Sequence, residues 1–205
     1  MSRLPVVFAI TGASGAPYAV RLLQVLATTG VPVWLIVSGH GLRLLEQETG
    51  IADLDALEHA TSPRGWKSVQ VFDDADRGAA PASGSARVSG MVVCPCSMGT
   101  LSAIAHGTSR SLIERAADVQ LKERRKLILV TRETPLSLVH LRNMTGVSEA
   151  GAVVMPAAPG FYNKPAAVAD LVDFIVQRVL DQLGVEAQLV PRWGEKGHGR
   201  SRRRP

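Results

Sequence analysis

The 205 residues are 46% hydrophobic and 4% aromatic, so the core must be Val, Leu, Ile and Ala, and global disorder is excluded. The net charge of +5 belongs mostly to the end of the chain, where Lys196, Arg200, Arg202, Arg203 and Arg204 face one acid, Glu195; the near-neutral remainder does not suggest a nucleic-acid binder. Two cysteines, Cys94 and Cys96, exclude a disulfide scaffold and argue against a zinc ribbon. No apolar run reaches the length of a membrane span, and Met1 to Pro5 is too short and broken for a signal peptide, so the expectation is a soluble, cytoplasmic protein without nucleic-acid or membrane partners.

Val6 to Ile10 is a continuous apolar run, as in a strand buried on both faces. It ends in Thr11-Gly12-Ala13-Ser14-Gly15-Ala16-Pro17, and Tyr18 to Ala27 then repeats apolar residues at helical spacing. Val31 to Val37 reads as a second strand, and Leu42 to Glu48 as a second helix stopped by Gly50. Residues 51–87 are polar and rich in Gly, Ala and Pro. A short helix is expected near Leu54 to His59, a short strand near Val69 to Phe72, and loop elsewhere.

Val88 to Cys94 is the next strand, followed by helices over Gly99 to Ala105 and Ile113 to Glu123. Leu127 to Val130 is a strand. Thr134-Pro135 looks like a cap and first turn, which predicts a helix over Pro135 to Met144. Ala152 to Met155 is the last strand. Pro165 to Leu183 is a long amphipathic helix with Val168, Leu171, Val172, Ile175, Val179 and Leu183 inward. Strands and helices alternate from end to end, which gives a parallel sheet with helices on both faces, an α/β single domain. Residues 1–193 form that domain, and 194–205 are expected to be a disordered, solubilising tail.

Ligands of such folds sit beyond the carboxyl ends of the strands. The polar residues just after strands are therefore the informative ones. Thr11 to Gly15 lets a backbone approach an anion at a helix N-terminus, or is a plain tight turn. Ser97 and Thr100 offer hydroxyls after the fourth strand, or Ser97 is an ordinary cap. Cys94 and Cys96 read as small buried fillers. Arg124, Arg125 and Lys126 read as a solvated basic face, whereas Arg132 and Glu133 point into the crevice. Arg178 falls among the apolar positions of its helix and so needs an anionic partner. Asp73-Asp74-Ala75-Asp76 reads as solvated loop. Glu48 lies near a helix C-terminus, where the dipole disfavours a carboxylate.

Several segments together resemble the UbiX-type flavin prenyltransferases, formerly labelled aromatic acid decarboxylases. They are Thr11 to Gly15, Ala82-Ser83-Gly84-Ser85, Pro95 to Leu101, Arg115 to Val119, Leu121 to Arg125, Arg132 to Pro135, His140 to Met144, Pro159-Gly160-Phe161-Tyr162 and Pro191-Arg192-Trp193. The resemblance runs in order over about residues 4–194 and implies a Rossmann-like or flavodoxin-like three-layer fold. It implies transfer of a dimethylallyl group from dimethylallyl phosphate to reduced FMN, making prenylated FMN for a UbiD-type decarboxylase, without metal.

By matching motif, Gly12, Ala13, Ser14, Ser38, Ser97, Met98, Gly99, Thr100 and Arg132 should bind FMN. Arg115, Lys122, Tyr162 and Arg178 should hold the prenyl phosphate. Glu48, Ser14 and Glu133 should serve the chemistry, Glu48 as the proton-handling group. A homododecamer is expected by analogy. Gly50 and Ala86 depart from residues common in that family, as does the small-residue segment Arg77 to Ala80, and all three bear on the prenyl pocket wall. Two other functions fit the same fold: a cysteine-peptide FMN decarboxylase, for which His40 is the nearest histidine, and a non-catalytic FMN carrier.

Overall fold

The computed structural model describes residues 3–192. The tail expected at 194–205, and Trp193, lie outside the described residues. The strands are β1 (Val6–Ile10), β2 (Val33–Val37), β3 (Val69–Phe72), β4 (Gly90–Cys96), β5 (Leu127–Thr131) and β6 (Val153–Pro156). The helices are α1 (Ala16–Thr28), α2 (Gly39–Thr49), α3 (Leu54–Thr61), α4 (Pro63–Trp66), α5 (Met98–Ala105), α6 (Leu112–Lys122), α7 (Leu138–Glu149) and α8 (Val168–Leu183).

All six strands are parallel, in the order β3-β2-β1-β4-β5-β6. The chain builds outward from β1 to β3, then returns to lay β4 on the other side of β1. The carboxyl ends of β1 and β4 therefore form the point where a crevice opens in such a sheet.

Side chains alternate across the sheet with the strand period of two. Val6, Phe8 and Ile10 enter one core with Leu22, Leu23 and Leu26 of α1 and Ile175 and Val179 of α8. Val7 and Ala9 enter the other with Leu101 of α5 and Leu112, Ile113 and Ala116 of α6. Each Leu fully buried here contributes about 1.5–3 kcal/mol, so two-sided burial of the central strands holds the sheet. No described helix is long and apolar enough to cross a membrane.

Several expectations are corrected. The helix expected from Pro135 starts at Leu138, because Ser137 caps it: its Oγ accepts the His140 N–H at 3.2 Å, and His140 Nδ1 accepts the Ser137 N–H. Thr134 precedes a proline, which disfavours helical backbone at that residue, and its hydroxyl bonds the Glu133 carbonyl instead. Val168 is 75% exposed rather than inward, because the apolar stripe of α8 begins a turn later. A short helix, α4, occupies what was read as loop; Ser62 caps it.

Arg125 is not a solvated charge. Its guanidinium donates to the Gly84 and Ala86 carbonyls at 2.6 and 2.8 Å, fixing the 84–86 loop. Nor is Asp74 merely solvated: its carbonyl and Oδ1 accept the N–H groups of Leu112 and Ile113 and so hold the start of α6.

Candidate active site

Three helices begin at the carboxyl edge around the β1/β4 junction, and each is capped by its own serine. Ser38 Oγ accepts the Gly41 N–H at 3.0 Å, Ser97 Oγ the Thr100 N–H at 3.1 Å and Ser111 Oγ the Glu114 N–H at 3.4 Å. The ordinary capping reading of Ser97 therefore stands. One serine satisfies only one of the orphan N–H donors at a helix start, so the ends of α2 and α5 keep donors and partial positive charge, whereas Asp74 takes the Leu112 and Ile113 N–H groups of α6. The three helix starts converge on a cavity of about 220 Å³ lined by Thr11, Gly12, Ser38, His40, Asp74, Ser97, Thr100, Ser111, Ile113 and Glu114.

Thr11 ties the two strand ends together. Its buried hydroxyl donates to the Pro95 carbonyl at 2.8 Å and accepts the Ser97 N–H at 2.9 Å. Gly12 is required by packing: a Cβ there would lie 2.5 Å from His40 Cβ. Met98 is nearly buried, while Gly99 is exposed beside it.

Glu48 does something the sequence reading did not anticipate. Although it sits at the end of α2, its Oε2 reaches the start of α1 and accepts the N–H groups of Gly15 and Ala16, both at 2.8 Å. It thus faces a dipole that favours it, not one that penalises it. Burial alone would raise its pKa, but the Gly15 N–H, the Ser14 hydroxyl, the Ala16 N–H and the Arg132 charge together hold it below the ordinary carboxylate value. Arg132 follows β5, and its Nε is buried with no hydrogen-bond partner among the described residues.

Glu114 is 8% exposed and holds the turn before α6, accepting from Arg110 Nη2, the Arg110 N–H and the Thr108 hydroxyl. Burial opposes its ionisation, but these bonds outweigh burial and lower its pKa. Ser111, Asp74 and Glu114 were missed in sequence, although Ser111-x-x-Glu114 has capping-box spacing. Cys96 is buried, and burial pushes its thiol up to about 12; Cys94 is pushed up too, by burial and by Cys96.

The residues expected to hold a prenyl phosphate are not gathered at this crevice. α6 runs back along the sheet, so Lys122 in its last turn lies near the amino ends of the strands, paired with Glu123 beside Gly84. Arg115 lies in the first turn of α6 and pairs with Asp118 at 2.6 Å. Arg178 does not face the core. Its guanidinium is 54% exposed and pairs with Asp181, which also binds Arg192. Tyr162 is exposed and packs edge-on against Phe174, with ring centroids 5.7 Å apart. Glu133 Oε1 accepts the Thr134 N–H.

The residues at the crevice fit a flavin nucleotide. Converging helix N-termini suit a phosphate, Gly12 permits close backbone approach, and a buried, unpaired guanidinium nitrogen awaits an acceptor. Comparison agrees on the class: residues 1–180 match the Flavoprotein family. Within that class, the chain is 47% identical over 199 residues to the flavin prenyltransferase UbiX of Pseudomonas aeruginosa, covering 93% of this chain and 94% of that one. A crystal structure of AnUbiX (PadA1) in complex with FMN and dimethylallyl pyrophosphate superposes with a TM-score of 0.84 at 41% identity, covering 93% and 97% of the two chains. A dodecameric FMN-dependent UbiX-like decarboxylase from Escherichia coli O157:H7 gives 0.83 at 42% identity, covering 93% and 98%. The chain belongs to the UbiX family of flavin prenyltransferases.

Proposed function

We propose that the chain transfers a dimethylallyl group from dimethylallyl phosphate to reduced FMN, forming bonds to N5 and C6, and releases prenylated FMN to a UbiD-type decarboxylase. The observation that carries this reading is Glu48 bound to the start of α1, with the Arg132 Nε buried and unpartnered among the described residues, in a chain nearly half identical to a flavin prenyltransferase. Gly12, Ala13, Ser14, Ser38, Ser97 to Thr100 and Arg132 hold the FMN. When bound, reduced FMN supplies a nucleophilic ring that takes the prenyl group.

The residues have distinct tasks. The donor's carbon–oxygen bond breaks as its phosphate leaves, and the second ring bond requires a ring proton to depart. Glu48, kept ionised by its donors, is able to accept a proton near neutral pH and unable to give one. Ser14, which donates to Glu48, and Glu133 act beside it. Arg115, Lys122 and Arg178 neutralise the leaving phosphate and the Tyr162 hydroxyl donates to it, which removes the need for a metal.

Lys122 and Arg178 lie away from the crevice of their own chain. In this reading neighbouring copies bring them to it, in an assembly like that of the dodecameric relative. The exposed apolar residues Leu136, Leu138, Val139 and Leu141 at the start of α7 support such packing. Cytoplasmic localisation belongs to the same reading.

The test is mass spectrometry of the flavin after anaerobic incubation with reduced FMN and dimethylallyl phosphate, with and without chelator. The flavin should gain a dimethylallyl mass in both. An unchanged flavin would favour a carrier, and loss of transfer with chelator would overturn the metal-free mechanism.

A further inference from the structure

His40 lies in the first turn of α2, directly over the turn that follows β1. A methyl group on Gly12 would stand 2.5 Å from His40 Cβ, so close packing against the main chain fixes where the imidazole starts. The imidazole lines the cavity on which the N-termini of α2, α5 and α6 converge.

The charges facing that cavity are unusual for a phosphate site. Its lining includes neither lysine nor arginine. Its charged members are two carboxylates, Asp74 from the loop after β3 and Glu114 from α6. Asp74 is held by the Ile113 N–H and Glu114 by Arg110 and Thr108, so neither turns away to make room for a cation. The adjacent charge on α2 itself is Arg43, a turn further on and exposed. A phosphate bound there meets backbone N–H groups, serine and threonine hydroxyls and two negative charges. His40 is the one lining side chain able to carry a full positive charge.

We propose that His40 is a proton-dependent ligand of the FMN phosphate: its imidazolium donates to a phosphate oxygen, and pH thereby sets how strongly the phosphorylated flavin is preferred. The proposal rests on the FMN reading above.

The experiment measures binding of FMN and of riboflavin, which lacks the phosphate, by flavin fluorescence from about pH 6 to about pH 8.5. It compares the wild-type protein with His40→Gln and His40→Arg. A charge-assisted hydrogen bond of ordinary strength corresponds to roughly ten-fold in affinity. At about pH 6 the wild type should prefer FMN over riboflavin about ten-fold more than His40→Gln does, and at about pH 8.5 the two should converge. His40→Arg should keep the preference at both ends, since guanidinium does not titrate there. The free phosphate ionises near pH 6 alike for all three proteins, and its growing charge strengthens FMN binding as pH rises, opposite in sign to the loss expected from the imidazolium.

A wild-type preference with the same pH dependence as that of His40→Gln would overturn the proposal. So would an equal loss of riboflavin and FMN in the variant, which would mark His40 as packing only. Failure of the wild type to bind FMN at any pH would overturn the flavin reading beneath it, a result distinct from either.

Discussion

The N-terminus of α1 and those of α2 and α5 stand around the same junction but have opposite fates. The first looks in sequence like the anion site: a glycine-rich turn opening a helix after a buried strand. In the folded chain its Gly15 and Ala16 N–H groups are already bound by Glu48. Those of α2 and α5 are capped by single serines and keep donors facing a cavity. A small-residue turn therefore announces close approach, not what approaches. Here the approaching anion is the protein's own carboxylate, Glu48 at α1 and Asp74 at α6, leaving the starts of α2 and α5 for a ligand.

The hardest way to break this arrangement is to cut the link between its halves. Thr11→Val removes a hydroxyl that serves the Pro95 carbonyl and the Ser97 N–H; the carbonyl keeps the Thr11 N–H, but the Ser97 N–H is left unsatisfied. At about 1–3 kcal/mol for an orphaned group, denaturant unfolding should show a loss of about 2 kcal/mol, and flavin affinity should fall with it. A loss below about 0.5 kcal/mol would mean that water replaces the hydroxyl.

Next in size are Lys122→Ala and Arg178→Ala, which lie outside the junction altogether. Donor use should weaken roughly ten- to a hundred-fold, the worth of one charge-assisted bond, with turnover falling as well because charge grows on the leaving phosphate. FMN titration should hardly change. Folding stability should move by about 1 kcal/mol at most, since both residues sit in exposed ion pairs. Loss of FMN with normal donor kinetics would reverse the assignment.

Glu48→Gln sharpens the contrast at smaller cost. The amide still accepts a hydrogen bond but carries no charge, so stability should drop by about 1 kcal/mol, as for a lost cap. Because the folded pKa of Glu48 is lowered from 4.5, its contribution is complete above that value and disappears as pH falls through the folded pKa. The gap in melting temperature between wild type and variant should be full at neutral pH and close in acid. Prenyl transfer should slow about 10²–10⁴-fold, the usual worth of a general base, with FMN still bound. Near-normal turnover would remove Glu48 from the chemistry, while a gap persisting in acid would mean that shape, not charge, makes the cap.

What was readable follows from the range of each interaction. The strands of the parallel sheet announce themselves as apolar runs because burial on both faces leaves no room for polar residues. Gly50 was recognisable as a helix stop, and it does adopt the left-handed backbone that glycine tolerates. The start of α7 was misread because Thr134 and Ser137 both satisfy a local capping rule, and only the bond between Ser137 and His140 decides between them. The bond from Glu48 to Gly15 spans 33 residues, so no local pattern contains it. Arg178 was misjudged for a related reason. A helical position between valines looks inward, yet the face it lies on is set by where α8 packs, and Asp181 was close enough to partner it at the surface.

The central strand has one more consequence. The protein's two cysteines both lie in β4 and are 0–1% exposed, so no thiol lies at the surface among the described residues. Thiol reagents act on the thiolate and need access to it, and here both are withheld until the middle of the sheet opens. Their alkylation rate is therefore a native clock for opening of the core rather than for fraying at the edges. Any cysteine introduced on the surface, at Arg178 or Val139 for example, becomes the sole fast-reacting handle, and neighbouring copies of the chain can be mapped against one another without first removing a native residue.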